Sequence, residues 1–277
     1  MAAVLLAIAA SASWGVSDFL GGLKAKSMPL LVVLGVGQPV GLALMGAIVA
    51  VRWDAPPGAL DVLWAALAGI GGLIGIGALY RGLAVGSMGI VSAIVAIAPL
   101  IPLTVGLARG ERPSVIQLAG MGVALIGVAL ASWEPGGTGL RGRATAGAGL
   151  ALLTVVCFGS AQVGLEAASN ADPYWATFIV RVTSTALVLA ALLRHRQARP
   201  GRVWPTLALI GLLDTLATVL FAVATTKGLF SVVAVLGGLP AILITILARL
   251  VLGERLTPLQ RGGALVAIGG AAAISAG

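Results

Sequence analysis

The sequence predicts an all-α membrane protein in which ten transmembrane helices form two inverted repeats of five helices. One observation is composition: 59% of the 277 residues are hydrophobic and 9% are charged, whereas soluble domains have roughly a quarter charged. The mean hydropathy is +1.10. A second observation is a series of apolar stretches of about 20 residues, the length that crosses a bilayer. A third is a set of motifs that recur 143 or 144 residues apart.

Charges, Pro and Gly separate the apolar stretches and set the limits of each predicted span. In chain order the ten spans cover residues 2–23, 28–51, 60–85, 88–109, 113–133, 144–168, 172–193, 203–226, 229–252 and 257–276. At about 22 residues each they use most of the chain, which leaves no room for a soluble domain. Ala10-Ser11-Ala12 resembles a signal-peptidase site, but no Lys or Arg precedes the apolar run. We therefore expect span 1 to be retained.

The repeat is clearest in two segments that each combine a Pro-broken helix, a Gly-Glu-Arg turn and a Gly-rich helix. They are residues 98–132 and 239–275, whose turns, 110–112 and 253–255, are 143 residues apart. A spacing held this long indicates a duplicated unit. The Gly-rich helices contain small-xxx-small spacings, which predict close helix packing.

The duplication extends over the whole chain, because Trp14-Gly15 in span 1 and Phe158-Gly159 in span 6 are 144 residues apart. The halves are therefore residues 1–138 and 139–277, joined by the turn-rich loop at 134–139. Five spans is an odd number, so the second half enters the membrane inverted. Inverted repeats are typical of secondary transporters, which bind substrate near the midplane where the repeats meet. A duplicated scaffold without transport is the alternative.

These features resemble the drug/metabolite transporter superfamily, specifically its EamA-type ten-helix members. The resemblance rests on the Trp-Gly pair, the Pro of spans 4 and 9, the Gly-Glu-Arg turn after each, and the Gln before each closing helix. It implies a central cavity lined mainly by spans 1, 3, 4, 6, 8 and 9, and export or exchange of small metabolites by alternating access. It also implies an Arg inside the second helix of a repeat. Span 7 has Arg181 there, whereas span 2 departs from the pattern with Gln38.

Ionisable groups inside spans are expensive in the bilayer, so each is a candidate for function. Asp214 lies about 11 residues into span 8 and Arg181 about nine residues into span 7, which gives comparable depths on a 1.5 Å rise. Two interpretations are open. The two residues form a structural ion pair, or Asp214 lines the cavity and binds a cationic substrate or a proton.

Tyr80 and Arg81 interrupt the apolar run of span 3 about one turn from its end. Arg81 either extends to the membrane interface or binds an anionic group, with Tyr80 as a hydrogen-bond donor. Asp18 in span 1 sits at a similar distance from its helix end and could pair with Arg81 across the cavity, as a gate.

The uncharged candidates for the cavity are Trp14, Gln38 and Gln162. Gln162 occupies the repeat-equivalent position of Asp18, and its amide can donate and accept hydrogen bonds. The Pro residues inside spans 4 and 9 are predicted to break the helices, either freeing carbonyls at the cavity or serving as packing kinks. They are Pro99, Pro102 and Pro240.

Several classes of function are disfavoured. No HExxH motif, no Walker-type loop and no Gly-x-Ser-x-Gly elbow is present, which argues against a hydrolase or an ATP-driven pump. A membrane-embedded enzyme is also disfavoured by the single Cys157 and single His195, and we predict no catalytic residues, metal or cofactor. The formal net charge of +8 comes with basic residues in short loops, which favours anionic lipid over nucleic acid as a partner.

The sequence therefore predicts a secondary transporter of a small polar metabolite, such as an amino acid or related compound, in the cell (inner) membrane. The sequence does not decide whether transport is coupled to protons through Asp214 or Asp18. It also leaves two oligomeric states open, a monomer and a weak homodimer. Alternatives are a multidrug or cationic-compound exporter of the same fold, and a passive channel.

The orientation of the chain in the membrane has two conflicting predictions. Loops after odd-numbered spans hold ten basic residues and those after even-numbered spans hold four, which predicts that both termini lie outside. The resemblance implies instead that both termini lie in the cytoplasm.

Overall fold

The computed structural model describes residues 1–86, 88–131, 141–195, 201–252 and 257–277. Over these ranges the chain is all-α, with a short 3-10 helix at Gly201–Val203 before the ninth α-helix and no strand. The α-helices are α1 Ala2–Ala25, α2 Leu30–Arg52, α3 Ala59–Val85, α4 Met88–Val95, α5 Leu100–Ala108, α6 Val115–Ala131, α7 Arg141–Ser169, α8 Pro173–Arg194, α9 Trp204–Thr225, α10 Phe230–Gly237, α11 Pro240–Leu252 and α12 Pro258–Ala276.

These helices make ten spans, because α4 with α5 and α10 with α11 each form one broken span. The predicted all-α, ten-span fold with two inverted repeats is confirmed. Six of the described helices are individually long and apolar enough to cross a bilayer, namely α1, α2, α3, α7 from Gly147, α8 and α9 with its preceding turn. Each broken span has a Pro at its break, whereas Pro39 lies inside α2 without ending that helix.

Two of the three predicted Pro breaks are present. Pro99 is the residue before α5, and Pro240 is the first residue of α11. Proline lacks the N–H that would continue the preceding helix, so the chain breaks in both places. The prediction is wrong for Pro102, which lies in the first turn of α5 without interrupting it. N–H groups of a first turn have no partner within the helix, so a Pro costs little there.

The packing follows the inverted repeat. Helix α1 packs against α9, and α3 packs against α7 in the corresponding way, while α2 packs against α8 and α6 against α12 across the axis between the halves. The loop at 134–139, Ser132 and the second Gly-Glu-Arg turn at 253–255 lie outside the described residues. The division into residues 1–138 and 139–277 stays a prediction.

Small residues allow the closest of these helix contacts. A Cβ at Gly127 would collide with the backbone nitrogen of Ala267, and one at Gly263 would collide with that of Ala131. The predicted close approach of the Gly-rich helices α6 and α12 is therefore present, as expected for helices that associate in lipid. Large apolar residues instead cover the outside of the bundle, such as Leu63, Leu67, Ile116 and Ile126.

Helix directions place both chain termini at one end of the bundle, which we call the termini face. Polar contacts join helix ends there. Arg109 pairs with Glu166 at 2.6 Å, linking the ends of α5 and α7. Glu111, in the first Gly-Glu-Arg turn, accepts hydrogen bonds from the backbone N–H groups of Phe230 and Ser231 at 2.6 and 2.9 Å. Its carboxylate thus caps the N-terminus of α10, across the boundary between the halves.

The other end of the bundle, the basic face, carries charges of one sign among the described residues. Basic side chains near the helix ends there form no ion pair: Lys24, Lys26, Arg194, Arg202 and Arg261. The two ends of the bundle therefore differ in character. At the termini face, ion pairs and hydrogen bonds join different helices, whereas the basic side chains named above at the basic face form no ion pair.

Candidate functional site

A cavity of about 140 Å³ lies inside the bundle, between the two halves. Gln38, Arg181 and Asp214 border it and lie near the middle of their helices, which places the cavity at mid-depth. One water occupies about 10–15 Å³ of such a cavity, so the space holds on the order of ten waters. That is the size of a small metabolite.

The walls come from more spans than the resemblance implied. Besides spans 1, 3, 4, 6, 8 and 9, the cavity is bordered by span 2 through Gln38 and by span 7 through Arg181 and Ser184. Eight of the predicted site residues line it, namely Trp14, Asp18, Gln38, Pro99, Gln162, Arg181, Asp214 and Pro240. The other three, Tyr80, Arg81 and Pro102, do not border this cavity.

The predicted pairing of Asp18 with Arg81 is not formed. Tyr80 is fully buried, with its ring against Gly21 of α1, whereas Arg81 is exposed and has no ion-pair partner in the described ranges. Consecutive residues of a helix point about 100° apart, following from 3.6 residues per turn. Because Tyr80 takes the inward position, Arg81 faces outward and extends from the bundle.

Arg181 and Asp214 form the buried ion pair that the sequence left open. Arg181 Nη1 lies 2.6 Å from Asp214 Oδ2, and Arg181 Nη2 donates to Thr218 Oγ1 at 2.6 Å and to the Asp214 carbonyl at 3.1 Å. The two residues are only 3% and 8% exposed. Both η nitrogens of Arg181 therefore have acceptors, as a buried guanidinium requires, whereas its Nε has none. Asp214 also borders the cavity, so the ion pair forms part of its wall.

Gln38 supplies a further acceptor to Arg181 from the other half of the molecule. Arg181 Nη1 donates to Gln38 Oε1 at 3.2 Å, and Ser184 Oγ donates to the same oxygen at 2.8 Å. Gln38 and Arg181 are 143 residues apart, so they lie near equivalent places in the two repeats, and they meet between the halves. Two Arg residues would repel one another at this place. Gln38, where span 2 departs from the family pattern, instead accepts a hydrogen bond from Arg181.

Trp14 satisfies the other oxygen of Asp214. Its indole Nε1 donates to Asp214 Oδ1 at 3.2 Å, and its ring packs at an angle on Phe221, with the ring centroids 5.5 Å apart. Ser13 and Ser17 hold the same helix to α9 by donating to the carbonyls of Leu213 and Ile210. Helices α1 and α9 are therefore fixed relative to one another along the cavity.

Two acceptors at the cavity, on Asp18 and Gln162, remain without partners in the described part of the chain, and so does one donor, Arg181 Nε. Asp18 is 6% exposed and lines the cavity, yet no hydrogen bond or ion pair reaches its carboxylate. Gln162 Oε1 is buried and accepts no hydrogen bond. Unpaired buried polar groups are costly and rare in proteins. These two acceptors therefore point to a ligand rather than to packing.

Several residues of the site were not predicted. Ser184 and Thr218 are the polar partners of the central cluster, and the usable signal was their spacing, three residues after Arg181 and four after Asp214, on the same helix faces. Pro39 lies inside α2 next to Gln38. Because Pro has no N–H, it leaves the carbonyl four residues earlier without its helical partner.

The residues at the cavity are suited to binding. Its walls are largely apolar, with a few convergent polar groups that can orient a small molecule. No three His, Cys, Asp or Glu residues in the described ranges lie close enough together to hold a metal ion.

Comparisons with known proteins agree with the fold. Residues 1–133 and again 145–276 match the EamA-like transporter family. A solved structure described as "Crystal structure of protein" superposes with a TM-score of 0.80 at 17% identity, covering 99% of this chain and 98% of that chain. At this identity the likeness concerns the fold alone. A search of curated proteins gives no match.

Proposed function

Because the chain belongs to the EamA-like transporter family of the drug/metabolite transporter superfamily, and is thus a multi-pass membrane transporter rather than an enzyme, we propose that it carries a small polar metabolite. Amino acids and related compounds are the proposed class, moved across the cell (inner) membrane by alternating access. The observation that carries this proposal is the mid-depth cavity between the inverted halves, with Asp18 and Gln162 Oε1 at its wall and without partners among the described residues.

The contacts at the two ends of the bundle support alternating access. At the termini face, Arg109 with Glu166 and Glu111 with the start of α10 bond helices of one half to helices of the other. The basic face has free cations among the described residues. We propose that the contacts at the termini face break when the cavity opens on that side, and that the monomer carries out the cycle.

Asp18 is the better candidate for proton coupling. Both oxygens of Asp214 are occupied by Arg181 and Trp14, so protonating that residue would cost an ion pair. Asp18 has no such partner in the described ranges. An intramembrane carboxylate without a partner takes up a proton or a cation, and we assign the coupling role to this residue.

The first test is a thermal-shift screen of the purified protein against a metabolite panel, because a ligand that binds the folded state raises its melting temperature. Compounds that stabilise the protein are then followed into proteoliposomes as labelled tracers. A transporter gives uptake that saturates and that is competed by unlabelled compound, whereas uptake rising linearly with concentration would identify a passive channel.

A further inference from the structure

The cavity carries features that point to a ligand of particular charge. We propose that it binds a small organic monocation with N–H donors, such as a primary ammonium or guanidinium compound, between two ring-and-acceptor units supplied by α1 and α7. The inference rests on the proposed function and narrows its substrate class, from amino acids and related compounds to those related compounds that carry an ammonium or guanidinium group and no carboxylate.

Each unit consists of an aromatic ring and, one helical turn later, a hydrogen-bond acceptor. On α1 these are Trp14 and Asp18, and on α7 they are Phe158 and Gln162. Residues four apart lie on the same face of a helix, and all four side chains border the cavity. The two units are 144 residues apart, so they are repeat equivalents, and they line the same cavity from the two halves.

The unpaired groups of both units are acceptors. The Asp18 carboxylate is 6% exposed and unpartnered in the described ranges, and Gln162 Oε1 is buried without a donor. A carboxylate and an amide oxygen can be satisfied only by donors. A ligand that carries N–H groups supplies them, and a positive charge on that ligand makes the hydrogen bond to Asp18 stronger.

The charges at the wall favour a cation as well. Two carboxylates, Asp18 and Asp214, border the cavity against one guanidinium, Arg181, which leaves a net charge of −1 when all are ionised. Arg181 is already bonded to Asp214, Gln38 and Thr218. Its Nε is buried without an acceptor, but the adjoining Asp214 carboxylate repels an anion from that nitrogen.

The rings complete the proposed site. Trp14 is held in place by its hydrogen bond to Asp214 and its contact with Phe221, and Phe158 lines the opposite half. An organic cation is attracted to the face of an aromatic ring, most strongly to Trp. The volume of about 140 Å³ fits a compound with on the order of ten non-hydrogen atoms, by the water count above.

A set of compounds similar in shape and different in charge tests the inference. Binding to the full-length protein in lipid nanodiscs is measured by calorimetry for benzylammonium, benzyl alcohol, phenylacetate and zwitterionic phenylglycine. We expect benzylammonium to bind at least about tenfold more tightly than the other three, because they lack the charge-assisted bond or carry a carboxylate toward Asp18.

Variants then assign the binding to the two units. Asp18→Asn is expected to weaken benzylammonium about tenfold or more, and to change benzyl alcohol much less. Gln162→Leu should weaken benzylammonium by a smaller factor. Asp61→Asn, in the first turn of α3 and away from the cavity wall, is the matched control and should leave affinity unchanged. Melting temperatures of all variants establish that they are folded.

The inference is overturned by equal or tighter binding of the alcohol, the carboxylate or the zwitterion, by an unchanged affinity in Asp18→Asn, or by no binding of benzylammonium. Its failure is distinct from failure of the proposed function. Saturable transport of a neutral or anionic compound would support the proposed transport function and refute the cation site. Cation binding without saturable flux of any bound compound would support the cation site and refute the proposed transport function.

Discussion

Arg181 Nη1 donates to Gln38 Oε1 at 3.2 Å, which joins two residues at near-equivalent places in the two halves of the chain. Gln38 is 5% exposed and Arg181 3%, so the contact is buried. A duplicated chain brings repeat equivalents together wherever they lie on its axis. Two guanidinium groups at this position would repel one another, whereas Gln38 offers Arg181 an acceptor.

Gln38→Arg should therefore destabilise the protein strongly. It places a second buried guanidinium beside Arg181, and uncompensated buried charges cost about 3–5 kcal/mol. Gln38→Glu, in contrast, keeps an acceptor and adds a charge opposite to that of Arg181, so it should retain more stability than Gln38→Arg. Thermal melts of the purified variants provide the comparison. Equal melting temperatures for Gln38→Arg and the wild type would show that the contact at the axis is unimportant.

Asp214→Asn should abolish transport and lower stability. It leaves Arg181 buried with its charge uncompensated, at a cost of about 3–5 kcal/mol, and it loosens Trp14 at the cavity wall. The double change Arg181→Met with Asp214→Leu should recover stability, because apolar replacements of a buried pair are often neutral, but not flux. Melting temperature and proteoliposome flux are measured on both variants. Wild-type flux in folded Asp214→Asn would remove this residue from the mechanism.

Asp18→Asn should have the opposite effect on stability. Asp18 is buried and has no partner in the described ranges, so neutralising its side chain removes a desolvation cost without breaking a bond. The melting temperature is expected to rise, by about 2–4 °C for each kcal/mol gained. The wild type at the same pH and in the same lipid is the reference. A fall as large as that of Asp214→Asn would mean that Asp18 is a structural residue.

Glu111→Ala should destabilise the protein by about 1–2 kcal/mol, since it removes the carboxylate that caps two N–H groups at the start of α10. Arg112→Ala, the neighbouring exposed residue of the same turn, is the matched control and should have little effect. Melting temperatures of the two variants are compared. An equal effect of both changes would argue that the turn as a whole, rather than the cap, stabilises this end of the bundle.

Much of the fold could be predicted from the sequence because hydropathy and repeat spacing report directly on membrane spans. Counting residues along two apolar helices predicted the depth of Asp214 and Arg181 in the membrane. Likewise, the breaks at Pro99 and Pro240 followed from the missing N–H group.

The rotation of each helix was harder to predict. Helices in lipid are apolar on the buried and exposed sides alike, so hydrophobic patterning does not show which side faces inward. Tyr80 and Arg81 illustrate this, since either could have pointed to the cavity and neither does. Glycine spacing was a partial guide: Gly127, Gly263 and Gly270 lie at the contact of α6 with α12, but the large residues Met121 and Ile274 are buried as well.

The central claim, that the chain is a carrier working by alternating access, is tested most directly by counterflow. Proteoliposomes are preloaded with the unlabelled compound that stabilises the protein most, and uptake of the labelled compound is followed with no net gradient of other ions. The account predicts that preloading accelerates uptake several-fold in the wild type and in Asp61→Asn, and has no effect in Asp214→Asn. Uptake that is insensitive to preloading in the wild type would contradict a carrier mechanism.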